Sequence, residues 1–111
     1  MSDRERVLVV TGSNRGIGAA VARLAIHHGY AVCVNYRTRE NEAIAVVRDI
    51  EHAGGIAIAV RADVTRDDDV RRLFAETDVT LGRVTALVNN AAIVGRESRI
   101  EDVDAASLAD L

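Results

Sequence analysis

Three glycines within the string Thr11-Gly12-Ser13-Asn14-Arg15-Gly16-Ile17-Gly18 separate an uninterrupted apolar run from a stretch with helical spacing. The run before the string, Val7-Leu8-Val9-Val10, is apolar at every position and rich in β-branched residues, as a strand covered on both faces requires. Beyond it, Ile17, Val21, Leu24 and Ala25 recur at helical spacing as far as about His28, and Gly29 stands where a left-handed cap ends such a helix. A chain that leaves a strand and enters a helix within a few residues must turn sharply, and Gly12 permits that turn. Gly18 lets the new helix lie close to the sheet. Few folds other than an α/β sandwich accommodate a doubly covered strand joined to a helix in this way.

The same alternation continues along the chain. Ala31 to Val34 reads as a second buried strand, and Glu40 to Ala53 as a helix carried by Ile44, Val47 and Ile50 and stopped by Gly54-Gly55. Ile56 to Ala62 is a third strand. Thr65 is expected to cap a third helix, with Asp68 three residues on and Asp67 and Asp69 in the same first turn, where carboxylates suit the positive helix end. That helix runs to about Leu81, where Gly82 ends it, and Ala86 to Asn89 is a fourth strand. Ala105 to Leu111 starts something helical that reads as unfinished. With right-handed crossovers this order predicts a Rossmann-type, doubly wound parallel sheet in one domain spanning residues 1–111, incomplete at its end. It has four strands, three helices and the start of a fourth helix. An unpaired fourth-strand edge is expected to favour self-association.

Composition narrows the functional classes. The 111 residues are 49% hydrophobic and 28% charged, a globular balance, and the net charge of −3 gives no general attraction to nucleic acid or anionic membrane. The first residues, Met1 to Arg6, are charged with no apolar signal region, and no apolar stretch approaches the ~20 residues of a membrane span. Together with a lone cysteine, Cys33, these features predict a cytoplasmic protein. His27, His28 and His52 sit at predicted helix ends, where cationic side chains suit the dipole, and none has a partner at metal-ligand spacing, so no metal site is expected. Asp67-Asp68-Asp69 reads as a helix start, and Cys33 as an inert small hydrophobe.

A glycine-rich turn that opens a helix offers free backbone N–H groups and a favourable dipole to an anion, and Gly16 lets a pyrophosphate approach the backbone closely. The spacing T-G-x-x-x-G-x-G resembles that of the short-chain dehydrogenase/reductase family. Two further stretches agree: Asn89-Asn90-Ala91-Ala92 is similar to the family's N-N-A-G, and Asp63-Val64 to the pair that contacts adenine. The resemblance implies that Gly12, Ser13, Asn14, Arg15 and Ile17 line the pyrophosphate and ribose. It further implies that Asp63 and Val64 hold the adenine ring, and that Asn90 meets the adenosine ribose through its backbone while Asn89 braces the sheet. At the second strand end, Asn35-Tyr36-Arg37 carries no carboxylate to repel a 2′-phosphate. Arg37, with Arg15 in the loop, favours NADP over NAD.

The resemblance also defines what is missing. All 14 basic residues counted as Lys+Arg are arginines, so the Tyr-x-x-x-Lys pair of the family has no counterpart, and the only tyrosines are Tyr30 and Tyr36. The family's substrate-orienting serine and relay asparagine are expected beyond Leu111. No catalytic residue is therefore assigned to this chain. The leading expectation is the NADP(H)-binding portion of a carbonyl- or alcohol-converting oxidoreductase. The alternatives are a non-catalytic nucleotide-binding module and a non-functional truncated remnant.

Overall fold

The computed structural model describes residues 6–90, within which Val7–Val10 forms β1, an inner strand with no exposed residue. Along the chain follow helix α1 (Gly16–Ala25), a short 3₁₀ turn (Ile26–His28), strand β2 (Ala31–Tyr36) and helix α2 (Glu40–His52). Strand β3 (Ala57–Arg61), helix α3 (Asp67–Thr80) and strand β4 (Ala86–Val88) complete the order. The four strands pair in the order β3-β2-β1-β4, all parallel, with Val9 opposite both Cys33 and Leu87. This is the doubly wound arrangement that the alternating pattern predicts. The expected helix from Ala105 and the residues Ala91 and Ala92 lie outside the described residues.

Because strand side chains alternate between faces, the two halves of β1 go to different cores. Leu8 and Val10 join Val32, Val34 and Tyr36 beneath α1 and α2, packed on Ala19, Ala22, Ala43, Val46 and Ile50. Val7 and Val9 join Ala31, Cys33, Val60 and Ala62 on the opposite face, closed by Leu73 of α3 and by Leu81. Burial there pushes the Cys33 thiol up to about 11, which keeps it protonated and unreactive.

The helices turn a different face inward from the one their large apolar residues suggest. Ile17 is 77% and Leu24 62% exposed, whereas the buried positions of α1 are Gly18, Ala19, Ala22 and Ala25. In α2 the buried positions are Ala43, Val46 and Ile50, with Ile44 and Val47 at the margin. In α1 only small residues face inward, because that helix lies too close to the strands for branched side chains beneath its axis, whereas α2 leaves room for Val46 and Ile50. Val21 and Leu24 instead line a groove of about 320 Å³ beside Leu8, Ala86 and Val88.

Boundaries also move, and β3 is one residue shorter at each end than the expected Ile56 to Ala62. β2 extends to Tyr36, so Asn35 and Tyr36 are strand residues. β4 ends at Val88, before the asparagine pair. Thr65 does not cap α3, which begins at Asp67 after Arg66 without a side-chain cap. The Thr65 hydroxyl is instead donated to Asp63 Oδ1 at 2.6 Å. A local turn onto a carboxylate two residues back outcompetes the cap. Gly29, at φ 81°, closes the first helical segment as expected.

Truncating a fully buried leucine, Leu73, and an exposed one, Leu24, separates the observed packing from the one suggested by periodicity. Leu73→Ala is expected to lower unfolding free energy by about 2–5 kcal/mol in urea denaturation. Leu24→Ala should cost less than about 1 kcal/mol, because its side chain is largely solvated.

Candidate functional site

Four parallel strands end on the same edge of the sheet, so the segments that follow them are neighbours: Thr11 to Gly18 after β1, Arg37 after β2, Asp63-Val64 after β3 and Asn89-Asn90 after β4. Every residue predicted for the site therefore belongs to a segment at this one edge.

The glycine loop is anchored from below. Thr11 N–H donates to the Val88 carbonyl at 3.0 Å, and the Thr11 hydroxyl accepts Asn90 N–H at 2.9 Å and donates to Asn89 Oδ1 at 3.1 Å. Asn89 thus braces the junction of β1 and β4. Gly12, at φ 59°, turns the chain; its N–H donates to Asn35 Oδ1 and its carbonyl accepts from Asn90 Nδ2, both at 3.1 Å. Ser13 is fully buried, its hydroxyl given to the Val10 carbonyl at 2.6 Å and its N–H to the Asn35 carbonyl at 2.8 Å. Ser13 shapes the loop from the inside rather than facing its rim. Thr11 opens the glycine motif and Asn35 the Asn35-Tyr36-Arg37 stretch, but neither receives a role of its own from the motifs, because neither carries recognisable ligand chemistry. The signal of these bracing roles in the sequence is a polar residue at the end of an apolar strand.

Helix α1 starts with its positive end open. Arg15 precedes it in an extended conformation, makes no side-chain cap, and lends its carbonyl to Ala19 N–H at 3.3 Å. The N–H groups of Arg15, Gly16, Ile17 and Gly18 therefore precede the first intrahelical donor, Ala19 N–H. No acidic residue lies in the first turn of α1, whereas α2 begins with Glu40 and Glu42 and α3 with Asp67, Asp68 and Asp69. Among the three described helices, α1 alone has a start that no carboxylate of its own neutralises. The Arg15 guanidinium is exposed beside it. This is the electrostatic requirement for holding an anion.

The glycines divide the labour. A Cβ on Gly16 would meet nothing within 4 Å, so that glycine serves a left-handed backbone (φ 65°) and leaves open space above the loop. A Cβ on Gly18 would stand 2.5 Å from the Gly12 carbonyl and 2.8 Å from Asn90 Nδ2. Gly18 is thus the point where α1 rests on its own loop and on the segment after β4.

Around the rim, Asn14 Nδ2 donates to Glu42 Oε1 at 3.0 Å, and Arg39, itself at φ 65°, stands 3.7 Å from the other Glu42 oxygen. Tyr36 is only 5% exposed and donates its hydroxyl to Glu40 Oε2 at 3.0 Å. Burial, and then the bond to Glu40, hold the Tyr36 phenol above its ordinary range. Carboxylates absent from the end of β2 itself thus reach the rim from the start of α2. Arg37 is exposed next to Tyr36. Asp63 accepts both the hydroxyl and the N–H of Thr65, which hold its carboxyl below the ordinary value, with smaller help from Arg37 and Arg66. Asp63 N–H is fixed by Asp69 Oδ2 at 2.8 Å, which orients the segment leading to Val64. Among the described residues, no group of three or more His, Cys, Asp or Glu side chains gathers as a metal site would require.

The contact at Gly18 generates a graded expectation. Gly18→Ala should lower stability by about 1–3 kcal/mol through overpacking against backbone. Gly16→Ala should cost about 1 kcal/mol for its backbone alone. Urea denaturation of both variants checks the order.

Known proteins share this arrangement. A family model described as short chain dehydrogenase matches residues 6–111. Over 88 residues the chain is 47% identical to a 3beta-hydroxysteroid dehydrogenase 1 of Eggerthella lenta, a match covering 79% of this chain and 34% of that protein. It is 37% identical over 107 residues to the short-chain dehydrogenase/reductase homolog YusS of Bacillus subtilis, covering 96% of this chain and 97% of the relative. A dehydrogenase of Burkholderia cenocepacia solved with bound NADP superposes with a TM-score of 0.72 at 25% identity, over 76% of this chain and 33% of that one. The chain spans about a third of the length of the longer curated relatives. Matched by the family model from residue 6 to residue 111, the chain belongs to the short chain dehydrogenase family of oxidoreductases.

Proposed function

We propose that this chain binds a dinucleotide along the rim of its sheet, NADP in preference to NAD, as the cofactor-binding part of an oxidoreductase acting on carbonyl or alcohol groups. The observation that carries the proposal is the start of α1, left without acidic side chains while its first N–H groups face the glycine loop. Those N–H groups and Asn14 take the pyrophosphate, and the open space over Gly16 admits it. Asp63 and Val64 take the adenine, and Asn90 the adenosine ribose. Arg37 and Arg15 take the 2′-phosphate, Arg37 through a charge-assisted pair. Glu40 is engaged by Tyr36 and Glu42 by Asn14, which tempers the repulsion these carboxylates would otherwise exert on that phosphate. The NADP-bound relative supports the same choice of nucleotide.

Bound nicotinamide supplies or accepts the hydride. No residue of this chain is assigned to proton transfer. Lysine is absent, Tyr36 is held above its ordinary pKa with its hydroxyl committed to Glu40, and Tyr30 lies at the opposite end of β2. A phenol shifted upward is a poor acid at neutral pH. The proton donor must then come from outside these residues. A second reading, a nucleotide-binding module without catalysis, is favoured by the relative matched over 97% of its own length.

In either reading the chain is a single domain over residues 1–111 and acts in the cytoplasm. No helix among the described residues is long and apolar enough to cross a membrane. The outer edge of β4, unpaired among the described strands, is the expected route of self-association.

Equilibrium titration with both nucleotides tests the proposal. NADP should bind about ten- to a hundredfold tighter than NAD, and Arg37→Asp should reverse the order. Equal affinities in the unmodified chain would contradict the NADP assignment.

A further inference from the structure

The end of β2 holds a buried amide whose bonds reach two separate segments. Asn35 is 1% exposed. Its Oδ1 accepts Gly12 N–H at 3.1 Å, and its Nδ2 donates to the carbonyls of Val60 and Ala62, each at 3.2 Å. Its main chain accepts Ser13 N–H at 2.8 Å and donates to Ser13 Oγ at 3.1 Å. The amide therefore links the glycine loop after β1 to the last residues before Asp63-Val64. The amide draws Gly12 N–H inward and the Asn35 main-chain carbonyl draws Ser13 N–H, so that the outward donors of the loop begin further on, at the helix start.

Resting on the nucleotide-binding reading above, we propose that Asn35 is a positioning residue: it sets the glycine loop at a fixed distance from the Asp63-Val64 segment, so that one dinucleotide spans both. Its amide matches this task because it offers an acceptor on one side and two donors on the other. No carboxylate or hydroxyl of similar size satisfies both the loop N–H and two strand carbonyls. A ligand that needs only one of the two segments does not depend on their spacing. A ligand that bridges them does, since a loop that samples other positions binds it in proportion to the fraction correctly placed.

The experiment compares the unmodified chain with Asn35→Ala, titrating NADP, which requires both segments, and adenosine, which carries no phosphate for the glycine loop to hold. Asn35→Ala should weaken NADP tenfold or more while leaving adenosine within about threefold. Equal weakening of both probes, or of neither, overturns the assignment of Asn35 and leaves the nucleotide reading intact. Failure of the unmodified chain to bind either probe overturns both. Should Asn35→Ala not fold, amide hydrogen exchange in the unmodified chain decides: Gly12 and Ser13 N–H should be protected as well as the amides of β1, and exchange at exposed-loop rates would contradict the proposal.

Discussion

Close approach of α1 to its own loop is the constraint on which the rim depends. At Gly18 the helix backbone lies where even a methyl would collide with the Gly12 carbonyl and with the Asn90 side chain. That contact fixes the direction in which α1 leaves β1, and with it the direction of the first-turn N–H groups. Beneath it, Thr11, Ser13 and Asn35 are buried polar residues whose bonds join the ends of all four strands. Leaving any one of these buried groups unpaired would cost about 1–3 kcal/mol, so the rim is held as a unit rather than loop by loop.

Charge is distributed to the same purpose. The chain is acidic overall, with a net charge of −3, yet a local site responds to the groups within a few ångströms of it. Carboxylates neutralise the starts of α2 and α3, while the start of α1 carries none and has Arg15 beside it. Arg37 stands at the end of the neighbouring strand, near enough to the Asp63 carboxylate to help keep it ionised. The rim thus combines an open positive helix end, a glycine-lined space and a fixed carboxylate at a different strand end. An elongated anion with a heterocycle at one end matches that sequence of groups.

Much of this was legible in the residues themselves. Runs such as Val7 to Val10 are too uniformly apolar for anything but a buried strand, and Gly29 and Gly82 mark helix ends. The glycine string was recognisable because its spacing reflects backbone geometry, whereas Asp63-Val64 was pointed to only by resemblance to the short-chain dehydrogenase/reductase family. Packing faces were harder. Ile17 and Leu24 suggested the inner side of α1 by size, but close helix–sheet contact selects alanine and glycine there, a preference that hydrophobicity alone does not reveal. The role of Asn35 was hidden for a related reason. Its bonds run to Gly12 and Ala62, residues distant in sequence, and no local pattern announces a link that only the sheet order brings together. Thr65 failed as a cap because Asp63, two residues away, offered its hydroxyl a nearer acceptor.

The central claim is that the carboxyl-end rim, and no other surface of the described fold, receives the nucleotide. Backbone amide NMR of the labelled chain during titration with NADP tests it most directly. Large shift changes are expected at Arg15 to Gly18, Arg37, Asp63, Val64 and Asn90, with Gly54, Gly55 and Ile56 at the opposite end of the sheet unchanged. Changes centred on that opposite end, or on the groove lined by Val21, Leu24 and Ala86, would contradict it.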